Sequence, residues 1–339
     1  MVTVNSGSTT GQTILTRKTK SAVFLVLCIN DDGVETVRDV LGGFAGLVRS
    51  VSSRAPESAL AGIVGIGSDA WDRLFTGPRP AALHPFIELV GETHTAPSTP
   101  GDILLHIKAD QFDLCYEVAT KVVEQLGDSV TVVDEVHGFR YFDLRDLIGF
   151  VDGTENPVGA AAVTAITVGD EDADFAGGSH VTIQRYVTDT AAWNDLSTAD
   201  QEAAIGRTKL ENIEFDDEVK PTNSHIALNV IEDDDGNQLQ IVRDNMPYGD
   251  ASGERGTLFI AYSASPTVTE RMLSNMFIGD PPGNHDRLLD FTTAVTGSQY
   301  FAPSVEFLDD LPAAPEEVVA QPDSPTKPSD GSLGIGSLH

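Results

Sequence analysis

The stretch Gly149-Phe150-Val151-Asp152-Gly153-Thr154-Glu155-Asn156-Pro157 places a carboxylate among residues that cannot form an ordinary strand or helix. Gly149 and Gly153 permit positive φ or close backbone approach, Asn156-Pro157 favours a turn, and Phe150 and Val151 are apolar anchors. Asp152 is thereby presented on a rigid loop, as a carboxylate that faces a ligand must be. An Asp-Gly turn whose carboxylate caps nearby backbone N–H groups fits the same residues. The second constellation is Arg243-Asp244-Asn245-Met246-Pro247-Tyr248-Gly249. Arg243 leaves the end of an apolar strand, and in extended backbone Asn245, two residues on, points to the same side. An arginine beside a neutral amide can stabilise charge developing on a small oxygen ligand without giving up a proton. An arginine paired to a surface carboxylate ahead of a Pro-Tyr-Gly turn is the competing reading.

Among eight histidines, His225 has the most distinctive setting. It follows the acidic segment 211–218 and the turn residues Pro221-Thr222-Asn223-Ser224, and it opens the apolar run 226–230. An imidazole at the mouth of a core-facing element can coordinate a metal through one nitrogen while a carboxylate or carbonyl holds the other. A hydrogen-bonded core histidine is the plainer alternative. His84 precedes a proline, His94 lies in a polar loop, His106 alternates within a strand and His339 is terminal.

The elements that must position these residues follow from periodicity. Residues 22–29, 61–67, 102–108 and 130–136 read as strands, and 33–51 and 111–125 as helices, giving βαββαβ, the ferredoxin-like order. A looser repeat follows: strands over 179–187, 238–243 and 257–263, helices over 198–207 and 268–277, and an apolar periodic segment over 286–295. The chain is expected to be α+β, with two ferredoxin-like βαββαβ domains. Irregular stretches at 138–178 and 208–237 are long for a compact domain, which marks them as functional. Residues 1–14 form a polar, Gly/Ser/Thr-rich flexible arm, 15–145 the N-terminal domain and 146–311 the C-terminal domain. Pro312, Pro315, Pro322, Pro325 and Pro328 then punctuate a linker over 312–329 that cannot offset its own ordering entropy. The tail, 330–339, carries Leu333, Ile335 and Leu338 among glycines, a pattern suited to a partner's groove or to a disordered terminus with incidental apolar residues.

The chain of 339 residues is long enough for two cores, and 40% hydrophobic residues is the fraction of a folded soluble protein. It holds no run of about 18 apolar residues that would span a membrane. The formal charge of −31, from 21 basic and 52 acidic residues, argues against nucleic acid and anionic membranes as partners and suits cationic ones. Cys28 and Cys115 lie in apolar contexts as buried small hydrophobes, so no disulfide framework is indicated and a reducing, cytoplasmic setting is expected. The absence of C-x-x-C-H excludes covalent c-type haem attachment.

Together these stretches resemble the dye-decolorising peroxidases, in particular their bacterial B-type branch, over roughly residues 15–310. Gly-Phe-Val-Asp-Gly matches the family's G-x-x-D-G motif, Arg243 to Gly249 matches its distal arginine segment, and the histidine of Ser-His-Ile-Ala-Leu falls where the family places its haem ligand. The resemblance implies a dimeric α+β barrel fold with one haem b per subunit in the C-terminal domain. It implies His225 as proximal iron ligand, Arg207 as propionate partner and Asp286 as the acid orienting the histidine. Asp152 becomes the proton shuttle for hydrogen peroxide, Arg243 the charge stabiliser and Asn245 the group orienting peroxide or a pocket water. A carboxylate in a role more often filled by histidine implies an acidic optimum. Dyes and phenolics, as one-electron donors, are expected to react at the surface through relays for which Trp193, Tyr186 and Tyr248 are candidates. Glu155 and Glu214 offer hard oxygen ligands for Mn²⁺. The tail resembles the peptide that docks cargo inside encapsulin shells, and a linker of about 20 residues at roughly 3.1 Å each spans on the order of 60 Å. That implies an encapsulin shell partner, a nanocompartment location and a homo-oligomer, dimer or hexamer. A haem- or iron-handling protein with little turnover, or a non-enzymatic shell-occupying module, would share parts of this pattern.

Overall fold

Residues 22–29 are apolar at both parities, which suits a strand covered on both faces. The computed structural model describes residues 10–315. In it Val23, Leu25 and Leu27 face a layer of helices, while Ala22, Phe24 and Val26 face a second core on the other side of the sheet. In chain order the first half runs β1 (Ser21–Ile29), α1 (Val34–Ser52), β2 (Ala61–Gly67), α2 (Ser68–Leu74), β3 (Leu89–Val90), β4 (Thr95–Ala96), β5 (Ile103–Ala109), α3 (Phe112–Leu126) and β6 (Val130–Phe139). The second half opens with α4 (Ala160–Ile166), β7 (Ser179–Thr188), α5 (Thr190–Asp195), α6 (Thr198–Ile205), α7 (His225–Asn229), β8 (Ile231–Glu232) and β9 (Gln238–Leu239). It continues through β10 (Val242–Arg243), β11 (Met246–Gly249), β12 (Arg255–Ser263), α8 (Pro266–Phe277), β13 (Thr292–Ala294), β14 (Ser298–Ala302) and α9 (Val305–Asp309).

Ten strands pair in the order β10-β12-β11-β6-β1-β5-β2-β14-β7-β13, and β12 also pairs β7. The extra pairing closes β12, β11, β6, β1, β5, β2, β14 and β7 into an antiparallel barrel. The first half contributes β6-β1-β5-β2 and the second β11-β12-β7-β14, so the two ferredoxin-like halves that the element order predicts are joined in one sheet. They join where Tyr248 meets Gly138 and where Tyr300 and Phe301 meet Gly67 and Ile66. At the first joint a Cβ on Gly138 would stand 2.6 Å from Met246 Cβ, so only glycine allows the approach. Helices α1 and α3 cover one face through Val37, Leu41 and Phe44 and through Leu114, Val118 and Val122, at helical spacing.

The second core, inside the barrel, is partly polar. His106 Nδ1 lies 2.8 Å from Tyr262 Oη and its ring stacks on Phe24 at 4.5 Å. Burial, reinforced by the Lys108 charge, pushes His106 down to about 3, so it stays neutral. Lys108, 1% exposed, is paired with Asp244 at 2.7 Å.

Four differences from the sequence expectation have local causes. The helix expected over 198–207 stops at Ile205, because Gly206 takes φ +93° and turns the chain. The strand expected over 238–243 splits into β9 and β10, with β11 as a further strand carrying Pro247. Residues 286–295 form a 3₁₀ turn, Arg287–Asp290, followed by β13. Strand β14 escapes sequence reading because all five of its residues are buried, so no alternation marks it. Residues 10–14, assigned to the flexible arm, are tied down: Thr10 N donates to the Glu306 carboxylate, and Gln12 exchanges 2.8 Å hydrogen bonds with the Val64 backbone. Cys115 is buried and its thiol is pushed up to about 12 by that burial, whereas Cys28 is only half-buried; both are free. Among the described residues no helix is long and apolar enough to cross a membrane. The tail residues Leu333, Ile335 and Leu338 lie outside the described residues, as does the linker beyond residue 315.

Candidate active site

The loop 149–157 is shaped by two left-handed glycines and fastened by side chains on either side. Gly149 has φ +93° and Gly153 φ +77°, and a Cβ on Gly149 would stand 2.5 Å from Lys209 Cε. Phe150 is buried against Trp193, with ring centroids 6.1 Å apart, while Val151 is only half-buried and is not a core anchor. Arg145 donates from Nη1 to Gly149 O at 2.8 Å and to Lys209 O at 2.6 Å. Asp152 N donates to Leu144 O at 2.8 Å. Among the described residues the Asp152 carboxylate accepts no hydrogen bond, so it is not the capping group of an Asp-Gly turn.

Asn156, read from sequence only as a turn residue, clasps the arginine segment. Its Nδ2 donates to Arg243 O at 2.6 Å and its Oδ1 accepts from Arg243 N at 3.0 Å. Beyond Val242 the backbone stays extended, and side chains alternate as a strand requires. Arg243 and Asn245 line the cavity, while Asp244 between them points to Lys108 Nζ at 2.7 Å and Lys18 Nζ at 3.0 Å. Burial opposes ionisation of Asp244, but the two ammonium groups prevail and hold its carboxyl well below the usual range. The Arg243 guanidinium has no partner among the described residues. Asn245 Oδ1 accepts from Ile260 N at 3.0 Å, which leaves its Nδ2 as a donor.

His225 begins α7, whose N-cap Ser224 is fully buried and accepts from Ala227 N at 3.4 Å. His225 Nδ1 lies 2.7 Å from Asp286 Oδ2, and Asp286 is fully buried. Asp286 is itself fixed, its Oδ1 accepting from Leu288 N at 2.8 Å and its N donating to Met276 O at 2.9 Å. With Nδ1 occupied, Nε2 is the nitrogen available to a ligand.

Asp152, Arg243, Asn245, His225, Arg207 and Glu155 all line one cavity, of about 1450 Å³ of empty space with its mouth included. Its remaining walls are largely apolar, among them Ile205, Ile226, Phe259, Met272 and Leu288. Asp286 stands behind His225 and Glu214 behind Arg207. Arg207, 6% exposed, bridges Glu155 at 2.8 Å and Glu214 at 3.4 Å, so both carboxylates expected to take Mn²⁺ converge on one guanidinium. Lys220 Nζ pairs with the other Glu214 oxygen at 2.5 Å. Arg207 Nε is buried with no partner.

Asp146 is a site residue that sequence reading missed. It lines the cavity, accepts from the Thr257 hydroxyl and from Ile148 N, and has its carboxyl raised by burial and by the neighbouring Asp152 charge. The only sequence signal was its position just ahead of the loop. Trp193, Tyr186 and Tyr248, expected as surface relays, are all buried, at 0%, 7% and 7% exposure. The Trp193 Nε1 hydrogen is given to Ile148 O, and the Tyr248 hydroxyl faces Tyr186 O at 3.1 Å and the Glu254 carboxylate at 3.3 Å; of the three rings Tyr186 lines the cavity.

Comparison with known proteins bears on this arrangement. Residues 11–140 match the family model described as "Dyp-type peroxidase, N-terminal" and residues 143–307 the one described as "Dyp-type peroxidase, C-terminal". The chain is 60% identical over 328 residues to a dye-decolorizing peroxidase of Rhodococcus erythropolis, covering 96% of each. Its structure is similar to that of the encapsulated DyP-type peroxidase from Mycobacterium smegmatis, with TM-score 0.89 and 58% identity over 91% of this chain and 100% of that one. A DypB variant from Rhodococcus jostii RHA1 in complex with heme is similar with TM-score 0.86 and 52% identity, over 88% of this chain and 97% of that one.

Proposed function

This chain belongs to the Dyp-type peroxidase family and is a dye-decolorising peroxidase, a haem-dependent oxidoreductase that uses hydrogen peroxide, and we propose that the cavity beside His225 is where it works. The observation that carries the reading is the convergence on one cavity of a carboxylate-held imidazole with an unengaged carboxylate, guanidinium and amide.

The chain's own groups fit haem b. His225 offers Nε2 while buried Asp286 keeps the proton on Nδ1 and strengthens the donor. The apolar walls suit a porphyrin, and the unpartnered buried Nε of Arg207 suits a propionate oxygen. Bound haem would supply the redox chemistry, the two electrons that breaking the peroxide O–O bond requires. The protein supplies the proton handling. Asp152 is placed to take the proton from one peroxide oxygen and return it to the other, so that the O–O bond can break with the second oxygen leaving as water. Arg243 stabilises the negative charge that builds on the leaving oxygen, and Asn245 Nδ2 orients the peroxide by donation. Asn156 keeps the loop carboxylate and the strand arginine in register.

The proposed division is an arm ending before residue 10, since residues 10–14 are fastened to the first domain, then domains to 145 and over 146–311, a linker over 312–329 and a tail over 330–339; the family matches, meeting between residues 140 and 143, support the split into two domains. Glu155 and Glu214 are proposed as a cation site for Mn²⁺, where an incoming ion would have to displace the pairings of Arg207 and Lys220 with these carboxylates. The encapsulated relative supports an encapsulin shell as partner and location, with the tail as docking peptide and a dimeric or hexameric particle as cargo. Phenolics and dyes are the proposed electron donors.

The test of the site is the absorption spectrum of wild type and His225→Ala after haem reconstitution. The wild type should show a Soret band that shifts on stoichiometric peroxide, and the variant should lose the histidine-ligated spectrum. A variant with the wild-type Soret band and coordination state would overturn the assignment of His225.

A further inference from the structure

We infer that His94, His285 and Asp290 form a binding site for one divalent transition-metal ion of the zinc class, separate from the cavity. His94 closes the β3–β4 hairpin, where Gly91 N donates to His94 O at 2.9 Å. The hairpin is seated firmly on the end of α8, since a Cβ on Gly91 would stand 2.0 Å from Phe277 O. His285 and Asp290 bracket the 3₁₀ turn Arg287–Asp290, whose N-cap is Asp286. The first half of the chain and the second thus each bring an imidazole to the same carboxylate.

The spacing is that of a ligand set. His94 Nε2 lies 3.1 Å and His285 Nε2 3.2 Å from Asp290 Oδ1, and all three atoms lie within 4.8 Å of one another. Around an ion bound at roughly 2.0–2.1 Å, tetrahedral ligand atoms stand about 3.3 Å apart. The two rings meet edge to face with centroids 4.7 Å apart and do not stack, so both Nε2 atoms can face Asp290 Oδ1 from different sides. Side-chain exposures of 19%, 25% and 38% leave a path for an ion and for water as the remaining ligand. Without a metal, each Nε2 must give a proton to the one carboxylate oxygen. Neither Nδ1 has a partner among the described residues, so each ring can move its proton to Nδ1 and present a lone pair at Nε2 with no change in charge. Two imidazoles and one carboxylate select a zinc-class ion over Mg²⁺, Ca²⁺ or Mn²⁺, which favour all-oxygen sites.

Such an ion would tie the hairpin to the turn that carries Asp286, and so stiffen the support of His225. The site itself does not depend on haem. Haem-loaded full-length protein, freed of metal by a chelator and titrated calorimetrically with ZnCl₂, should bind one equivalent per chain at these residues and unfold at higher temperature when it does. His94→Ala, His285→Ala and Asp290→Asn should each weaken that step by more than the roughly 10- to 100-fold that losing a supporting contact costs. His137→Ala, at an exposed histidine paired with Glu135, should leave it unchanged. Anomalous diffraction from zinc-soaked wild-type crystals reads the position directly, whatever the variants do to folding. No zinc at His94, His285 and Asp290 in that map, or binding unaltered in all three folded variants, would overturn the inference.

Discussion

Asp152 and Arg243 line the cavity without a side-chain partner among the described residues, which is unusual for a carboxylate and a guanidinium in a folded interior and is what makes them available to peroxide. Asp152→Ala removes the proton carrier and should lower the peroxide-dependent step by about 10²- to 10⁴-fold. Arg243→Leu removes the charge stabiliser and should cost about 10²- to 10³-fold. Stopped-flow observation of the Soret band against peroxide concentration measures both, and a rate untouched by Asp152→Ala would leave Arg243 as the principal group. Asp146 bears on pH. Burial and the Asp152 charge raise its folded-state carboxyl above the usual value near ~3.9. Between those two values the folded chain holds a proton that the unfolded chain has released, so stability falls as pH rises through the window. Asp146→Asn removes that loss. The variant should therefore match wild type in thermal unfolding near pH 3 and exceed it once pH passes the raised value, whereas a constant offset at every pH would show that Asp146 does not titrate there.

At the scale of elements, the strand-end segment 243–245 shows why residue type and spacing were readable. Strict alternation puts Arg243 and Asn245 into the cavity and sends Asp244 to Lys108 and Lys18, so one short extended piece serves both the site and the barrel interior. What alternation could not show is the clasp from Asn156. Its two hydrogen bonds join segments 87 residues apart, and such pairing depends on how the chain closes, not on local pattern. Asn156→Ala leaves Arg243 N without its acceptor and should cost about 1–3 kcal/mol in denaturant unfolding. It should also lower kcat/KM for peroxide about 10-fold, because the carboxylate and the arginine lose their common reference. Unchanged stability together with unchanged kinetics would assign the registration to Arg145 and Phe150 alone. The 3₁₀ turn after Asp286 was legible only as an apolar periodic stretch, since three-residue turns and short strands share that signature.

For the whole molecule, closure of the barrel joins the two halves, and that closure rests on β14, the strand with no alternation to betray it. Both halves of the ferredoxin-like plan were visible because helices on one face and strands buried on both faces carry distinct periods. Their union was not, because pairing between β11 and β6 or between β14 and β2 needs only glycine and shape at the seam. The proposed shell partner is tested at this scale. Deleting residues 330–339 should leave peroxidase kinetics unchanged and abolish co-purification with a co-expressed encapsulin shell, and shells that still fill with the truncated enzyme would show that the tail is not the docking element.

Sequence alone determined which residue types could do chemistry, the order of the elements, the ferredoxin-like repeat and the family resemblance, because each of these is written in local spacing. Only the tertiary structure decided that Asp152, Arg243, Asn245 and His225 share a cavity, that Glu155 and Glu214 converge on Arg207, that the three candidate relay rings are buried, and that His94 meets His285 and Asp290. Those facts depend on which distant segments the closed barrel brings within a few ångströms, and no local pattern carries that information. For the loop around Asp152, spacing showed that the carboxylate had to be presented, and packing supplied the groups it is presented with.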